Sequence, residues 1–202
     1  LFEWLGTNNW GILNLVDGAL WIELLASLVV LDFIAQYCAH WSVHNIKVLW
    51  RVHLVHHSDT HVDTTTGLRL HPLDYLVRES YAIFAIFILD IPLAFYLMYR
   101  IFTIAFTHFN HANIKLPTRV DKAISYVFVS PNMHKFHHHF KRPWTDSNFG
   151  NIFSVWDRIF GTFIYENPKT IKFGLDNLDD HFDEDLSYQL GLPFNKNIKT
   201  HD

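Results

Sequence analysis

Residues 18–57 read GALWIELLASLVVLDFIAQYCAHWSVHNIKVLWRVHLVHH. The stretch 18–37 is almost continuously apolar, broken only by Glu23 and Asp32, and about 20 such residues let a helix cross the hydrocarbon core of a bilayer. The sequence therefore predicts a membrane helix over 18–37. The residues after it are polar and rich in histidine, in the spacings His40-x-x-x-His44 and His53-x-x-His56-His57. Residues three and four apart share a helix face, so each pattern is expected to aim two or three imidazoles at one point.

The triplet returns as His134-x-x-His137-His138, and thirteen of the fifteen histidines fall between His40 and His139. Between the clusters lies a second apolar block, 79–107, interrupted at Ile91-Pro92. Proline removes a helix donor and disfavours helix at the residue before it. Two helices joined at Asp90-Ile91-Pro92 are expected, as a hairpin entering the membrane, with one kinked helix as the alternative. With both apolar blocks inserted, the polar segments 38–72 and 115–144 emerge on one side. Lys47, Arg51, Arg69, Lys115, Arg119, Lys122, Lys135, Lys141 and Arg142 lie in these segments, which places that side in the cytoplasm. The expected architecture is an all-α, integral membrane helical bundle with a histidine-rich di-metal site on its cytoplasmic face.

Composition narrows the function. Only 18% of residues are charged, against about 25% in soluble proteins. A net charge of −4 lacks the basic footprint of a nucleic-acid binder. The single cysteine, Cys38, excludes an intramolecular disulfide, a Cys-rich zinc site and an iron–sulfur cluster. Residues 1–165 read as one catalytic unit. Residues 166–202 read as a polar tail, acidic at Asp176, Asp179, Asp180, Asp183, Glu184 and Asp185, that packs on the catalytic face. The chain opens at Leu1 without a signal-peptide pattern, as expected of a fragment lacking an upstream membrane segment. Eight clustered imidazoles exceed what one tetrahedral zinc takes and suit two metals. Imidazole suits iron, zinc, copper and nickel alike, so ligand type leaves the ion open.

A resemblance narrows it. From Leu31-Asp32 through His40, His44 and Leu49–His53 to His57-Ser58, then along Thr65–Leu73, Phe109-Asn110-His111-Ala112-Asn113, Ser130–His134, Asn148-Phe149-Gly150 and Trp156–Thr162, the chain resembles the bacterial branch of the fatty acid hydroxylase and sterol desaturase superfamily. The resemblance implies a non-haem di-iron centre held by the three histidine boxes, with His111 as an extra ligand. It also implies O2 as co-substrate and hydroxylation or desaturation of a C–H bond in a sterol, fatty acyl or related lipid. The first box departs from the family pattern, with Trp41 in place of its usual arginine. No dinucleotide fingerprint, haem motif or cysteine cluster is present, so electrons are expected from a separate reductase with a ferredoxin or cytochrome.

Four further residues are candidates for a ligand or an outer partner. His108 lies one helical turn before His111. His71, beside Pro72, is read as orienting a ligand, with a helix cap as the alternative. Asp32, eight positions before His40, is ionisable inside a membrane segment and is expected to accept an N–H from a liganded imidazole. Asp157 braces the metal face or pairs with Arg158. The rival class is a histidine-rich membrane protein that binds or transports metal. Transport calls for ionisable residues spread along membrane helices, whereas these histidines gather in the polar segments. A zinc hydrolase lacks an HExxH base.

Overall fold

A computed structural model describes residues 1–8, 10–15, 18–166, 171–175, 178 and 184–198. Ten α-helices are described: α1 (Phe2–Asn8), α2 (Leu20–Leu31), α3 (Ala39–Asn45), α4 (Lys47–His57), α5 (Pro72–Leu89), α6 (Leu93–His111), α7 (Thr118–Ile124), α8 (Pro131–His137), α9 (Val155–Ile159) and α10 (Leu186–Gly191). Among the described residues the only extended pairing is one bridge between Phe128 and Phe153. His181, His201 and the acidic residues Asp176, Asp179, Asp180 and Asp183 lie outside the described residues.

The first apolar helix is longer than its hydropathy suggests. α2 runs through a π-helical stretch, Asp32–Cys38, straight into α3, and this continuous helix, Leu20–Asn45, is the one described helix long and apolar enough to cross a membrane. The predicted stop at residue 37 is thus corrected. His40 and His44 sit on the same helix because one buried face keeps the polar continuation helical: His40, Ser42, Val43 and His44 are all covered. The second block is two helices, as expected. Asp90 takes a left-handed conformation (φ 59°, ψ 50°), and Pro92 precedes the first turn of α6. α5 begins at Pro72, ahead of the apolar run, with its amide-free proline at the first helical position.

α2, α5 and α6 share a core of Leu31, Ala35, Ala82, Ala85, Ile86, Phe95 and Tyr99. Behind the histidine helices a second cluster joins Trp50, Leu54 and Val55 of α4 to Leu175, Leu192 and Ile198. There Arg51 donates to the carbonyls of Pro193 and Asn195 at 2.7 and 2.6 Å. Leu175 and the segment from Tyr188 to Ile198 thus lie along the back of α4.

The least regular part of the interior is the buried, non-helical stretch 147–152. Buried backbone must be hydrogen-bonded, and two carboxylates meet that demand. Asp157 accepts the amides of Phe149 and Gly150 at 2.7 and 3.0 Å and the Thr162 hydroxyl at 2.7 Å. Asp32 accepts the amides of Ile152 and Phe153, both at 3.1 Å, and the Trp156 indole N–H at 2.9 Å. A Cβ on Gly150 would fall 2.6 Å from the Phe153 carbonyl oxygen and 2.9 Å from the Asp157 carboxylate, so the turn closes only around glycine. Asp32 therefore braces backbone rather than an imidazole, which corrects the expected contact. Its spacing from His40 still has meaning, since the His40 ring meets the same stretch at the Phe149 carbonyl.

Asp32→Ala leaves two amides and an indole N–H buried without an acceptor. At about 1–3 kcal/mol for each unsatisfied group, the variant is expected to lose several kcal/mol and to unfold at a markedly lower temperature in detergent. An unchanged melting curve would refute the bracing role.

Candidate metal centre

The nine histidines expected as ligands divide into two buried groups. His40, His44, His53, His57 and His137 form one, and His56, His111, His134 and His138 the other; within each, one nitrogen per ring lies within 4.8 Å of the others. The division corrects the expectation of a single point for each of the two triplets, while His40 and His44 stay together as expected. On α3, α4 and α8 the i,i+4 pairs stay together: His40 with His44, His53 with His57, His134 with His138. Adjacent residues on a helix point about 100° apart, so the dipeptides His56-His57 and His137-His138 each send one ring to either group. The groups consequently share a wall, with the rings of His57 and His138 stacked at 4.7 Å between centroids.

Six of the rings are oriented from behind. The Nδ1 atoms of His40, His56, His111 and His137 face the carbonyls of Phe149, Thr66, Thr107 and Ser147 at 2.9, 3.1, 2.7 and 2.7 Å. Those of His53 and His44 face the carboxylates of Asp74 and Asp146 at 2.6 and 3.2 Å. A carbonyl or carboxylate only accepts, so each of these Nδ1 atoms carries the proton and each Nε2 presents a lone pair. Burial keeps the rings neutral: it pushes His56, His57, His134, His137 and His138 well below the ordinary imidazole value, and neighbouring imidazoles add to the effect.

Lone pairs so placed need a cation. The Nε2 atoms of His56 and His111 are 3.3 Å apart, yet both protons are committed at Nδ1, so neither nitrogen can donate to the other. His111 Nε2 also lies 3.1 Å from the Nε2 atoms of His134 and His138, and His57 and His137 meet at 3.1 Å in the larger group. Two nitrogens each about 2.0–2.1 Å from one ion, at right angles, would stand about 3 Å apart. The Nε2 atoms of His40, His44 and His53 are buried with no hydrogen-bond partner. The donor set fits two metal ions.

The elements that carry these rings explain several residues that sequence reading missed. Asp74, in the first turn of α5, is fully buried against His53 and also accepts Arg78 Nε at 3.1 Å. Asp121 fixes α8 by accepting the Ser130 hydroxyl at 2.7 Å and the Asn132 amide at 3.1 Å, while Ser130 caps the helix with Pro131 behind it. The Thr65-Thr66-Gly67 turn packs on α6 so closely that a Cβ on Gly67 would fall 2.6 Å from the Thr107 methyl carbon; that contact delivers the Thr66 carbonyl to His56. An aspartate one position beyond a His-Pro-Leu sequence was the available signal for Asp74.

The remaining candidates lie elsewhere. His71 caps α5, its Nδ1 accepting the Leu73 amide at 3.1 Å, so the helix-cap alternative holds. His108 joins neither group and faces the Thr64 carbonyl at 3.1 Å, because one turn of α6 separates it from His111. Asp157 braces backbone, while Arg158 donates to the Ser125 carbonyl and stacks over Phe163. Trp41 is exposed beside the first box.

A cavity of about 340 Å³ opens between the π-helical stretch, α5 and α6 and ends on the metal groups. Three of the four rings in the smaller group border it (His56, His111 and His134), against His40 alone from the larger.

The profile of the fatty acid hydroxylase family matches residues 24–162. The chain is 30% identical over 158 residues to alkylglycerol monooxygenase of Caenorhabditis elegans, covering 77% of this chain and 30% of that enzyme. It is 27% identical over 146 residues to an ornithine lipid hydroxylase of Rhizobium tropici, covering 72% and 42%, and 27% identical over 150 residues to lathosterol oxidase of Mus musculus, covering 71% and 46%. The chain thus spans less than half the length of each of these relatives. No solved structure matches it significantly.

Asp74→Asn keeps the shape but weakens the acceptor behind His53. Losing such an outer partner typically costs about 10–100-fold in metal affinity. Metal titration is expected to show that loss in one of two sites, and equal affinities in variant and parent would remove Asp74 from the centre.

Proposed function

Because the chain belongs to the fatty acid hydroxylase family, we propose that it is an O2-dependent membrane oxidoreductase that uses two non-haem irons to hydroxylate or desaturate a C–H bond of a lipid. The observation that carries this reading is the pair of all-histidine groups, nine rings with no carboxylate among them, at the end of one cavity whose lining is mostly apolar. Irons held there would supply the oxygen chemistry. The protein's part is placement and exclusion of water. The acceptors behind the rings fix the tautomer on which coordination depends. The buried 147–152 stretch seals the site on the α3 side, and Ala35, Ala82 and Ile104 give the cavity apolar walls. On this reading the reacting carbon lies beside His56, His111 and His134, the rings that border the cavity most.

Lipid is the substrate class common to the relatives' names, with an alkylglycerol, an ornithine lipid and a sterol all represented. Membrane insertion is supported by the Leu20–Asn45 helix and by the outward apolar residues of the α5–α6 hairpin, such as Leu76, Phe84 and Ile101 at 61, 57 and 69% exposure. On this reading the histidine face lies in the cytoplasm, where a separate reductase with a ferredoxin or cytochrome delivers electrons. The metal-transport alternative gains no support from the arrangement, because the rings form two closed groups at one end of the helices.

Protein purified anaerobically in detergent is expected to hold about two irons per chain, one for each group. His111→Ala should lower this to about one, and His137→Ala combined with His56→Ala should remove most of both. Stoichiometric zinc from iron-replete cells would sink the reading. Lipid extracts from cells with and without the chain should differ by species that gain an oxygen or lose a pair of hydrogens.

A further inference from the structure

Part of the cavity lining beside the histidine groups is charged. Arg78 and Glu79 of α5 and Arg100 of α6 all border it, together with Tyr75 near the exposed mouth. Glu79 is satisfied on both oxygens, by Arg100 at 2.7 Å and by the Tyr96 hydroxyl at 2.9 Å. The guanidiniums are not. Arg78 uses Nε on Asp74, and its two terminal nitrogens make no hydrogen bond among the described residues; Arg100 spends one terminal nitrogen on Glu79 and lies over the Tyr75 ring at 6.0 Å. Each guanidinium is thus paired with one carboxylate, Arg78 with Asp74 and Arg100 with Glu79, and what the wall offers a ligand is the set of N–H donors that these pairs leave unused. Spare planar forks of this kind match the paired oxygens of a carboxylate or phosphate and shed water more readily than an ammonium does.

We propose that Arg78 and Arg100 form a head-group site for a single-chain amphiphile ending in one anionic oxygen group, a carboxylate or phosphate, and that this anchor sets which carbon reaches His56, His111 and His134. The site rests on the lipid oxygenase reading, because it assigns the cavity to a lipid. Its geometry is a consequence of the fold: Tyr75 to Glu79 lie within about two turns of the start of α5, at the histidine end of the hairpin. An amphiphile entering there leaves its head at the mouth while its chain runs inward along the apolar wall. Arg78 has a second duty, since its contact with Asp74 lies behind His53, so head-group binding and ligand orientation meet in one side chain.

The test measures equilibrium binding of radiolabelled palmitate, hexadecyl phosphate and hexadecanol to the purified full chain in detergent, anaerobically and without an electron donor. Palmitate or hexadecyl phosphate should bind about 10-fold more tightly than the alcohol, in line with a charged hydrogen bond; whichever acid holds the advantage identifies the head. Arg100→Gln should abolish the advantage, leave hexadecanol binding and iron content unchanged, and be partly rescued by Arg100→Lys. Glu79→Gln, which removes the opposing carboxylate, should enlarge the advantage and provides the readout if Arg100→Gln does not fold. Equal binding of alcohol and acids, or a preference that neither variant moves, would overturn the proposal. A preserved preference in a chain that oxidises no lipid would retire the oxygenase reading and leave the head-group site standing.

Discussion

Nine neutral imidazoles must point their lone pairs inward while their other nitrogens sit in a dry interior, and the rest of the chain is arranged around that requirement. Unpaired polar groups are costly away from water, and six of the nine rings have a partner behind them as well as room for an ion in front. The helix termini and turns that end near the groups supply most of those partners. Thr66 belongs to a turn pressed onto α6, Thr107 lies one turn before His111, and Ser147 and Phe149 belong to the buried stretch after α8. Carbonyls of turns, of the last turn of α6 and of the irregular stretch thus become orienting groups of the centre.

That solution shifts the demand to the amides of the same irregular backbone. A helix would satisfy them internally. The 147–152 stretch instead borrows Asp32 and Asp157, whose four oxygens collect four amides, an indole and a hydroxyl. Buried non-helical chain is tolerated only where each of its polar groups finds a partner. The ionisable residue inside the long apolar helix is therefore structural in a specific sense: without an acceptor at Asp32, the loop that orients His40 has no place to sit. The two carboxylates act on the metal groups through backbone, at one remove from the rings they support.

Much of this was legible in the residues. The apolar run at 18–37, the break at Ile91-Pro92 and the three histidine patterns locate the helices and eight of the nine clustered histidines, because hydropathy and helical spacing are local properties. What escaped was non-local. The continuation of the first helix to Asn45 depends on a face buried by chain more than a hundred positions away. Asp74 and Asp121 look like ordinary polar residues until α5 and α8 are packed. His71 and His108 share the chemistry of the ligands and sit close to them in sequence, yet one turn of helix or one capping bond removes each from the centre. Residue type proposes a ligand, and only packing decides.

The i,i+4 rule also carries further than a count of ligands. A His-His dipeptide cannot serve one ion from a single helix, so its recurrence at 56–57 and 137–138 already encodes two sites with a common wall. The pairs on α3 and α4 then load the first site and the pair on α8 the second, which leaves the second one ring short until α6 contributes His111. The group completed by the hairpin is also the one that borders the cavity most. One helix thus sets two features of the site: α6 closes the smaller histidine group with His111 and lines the cavity that reaches it with Arg100, Thr103 and Ile104. A shift of α6 would move the fourth histidine and the cavity wall together, tying the geometry of the smaller group to what occupies the cavity.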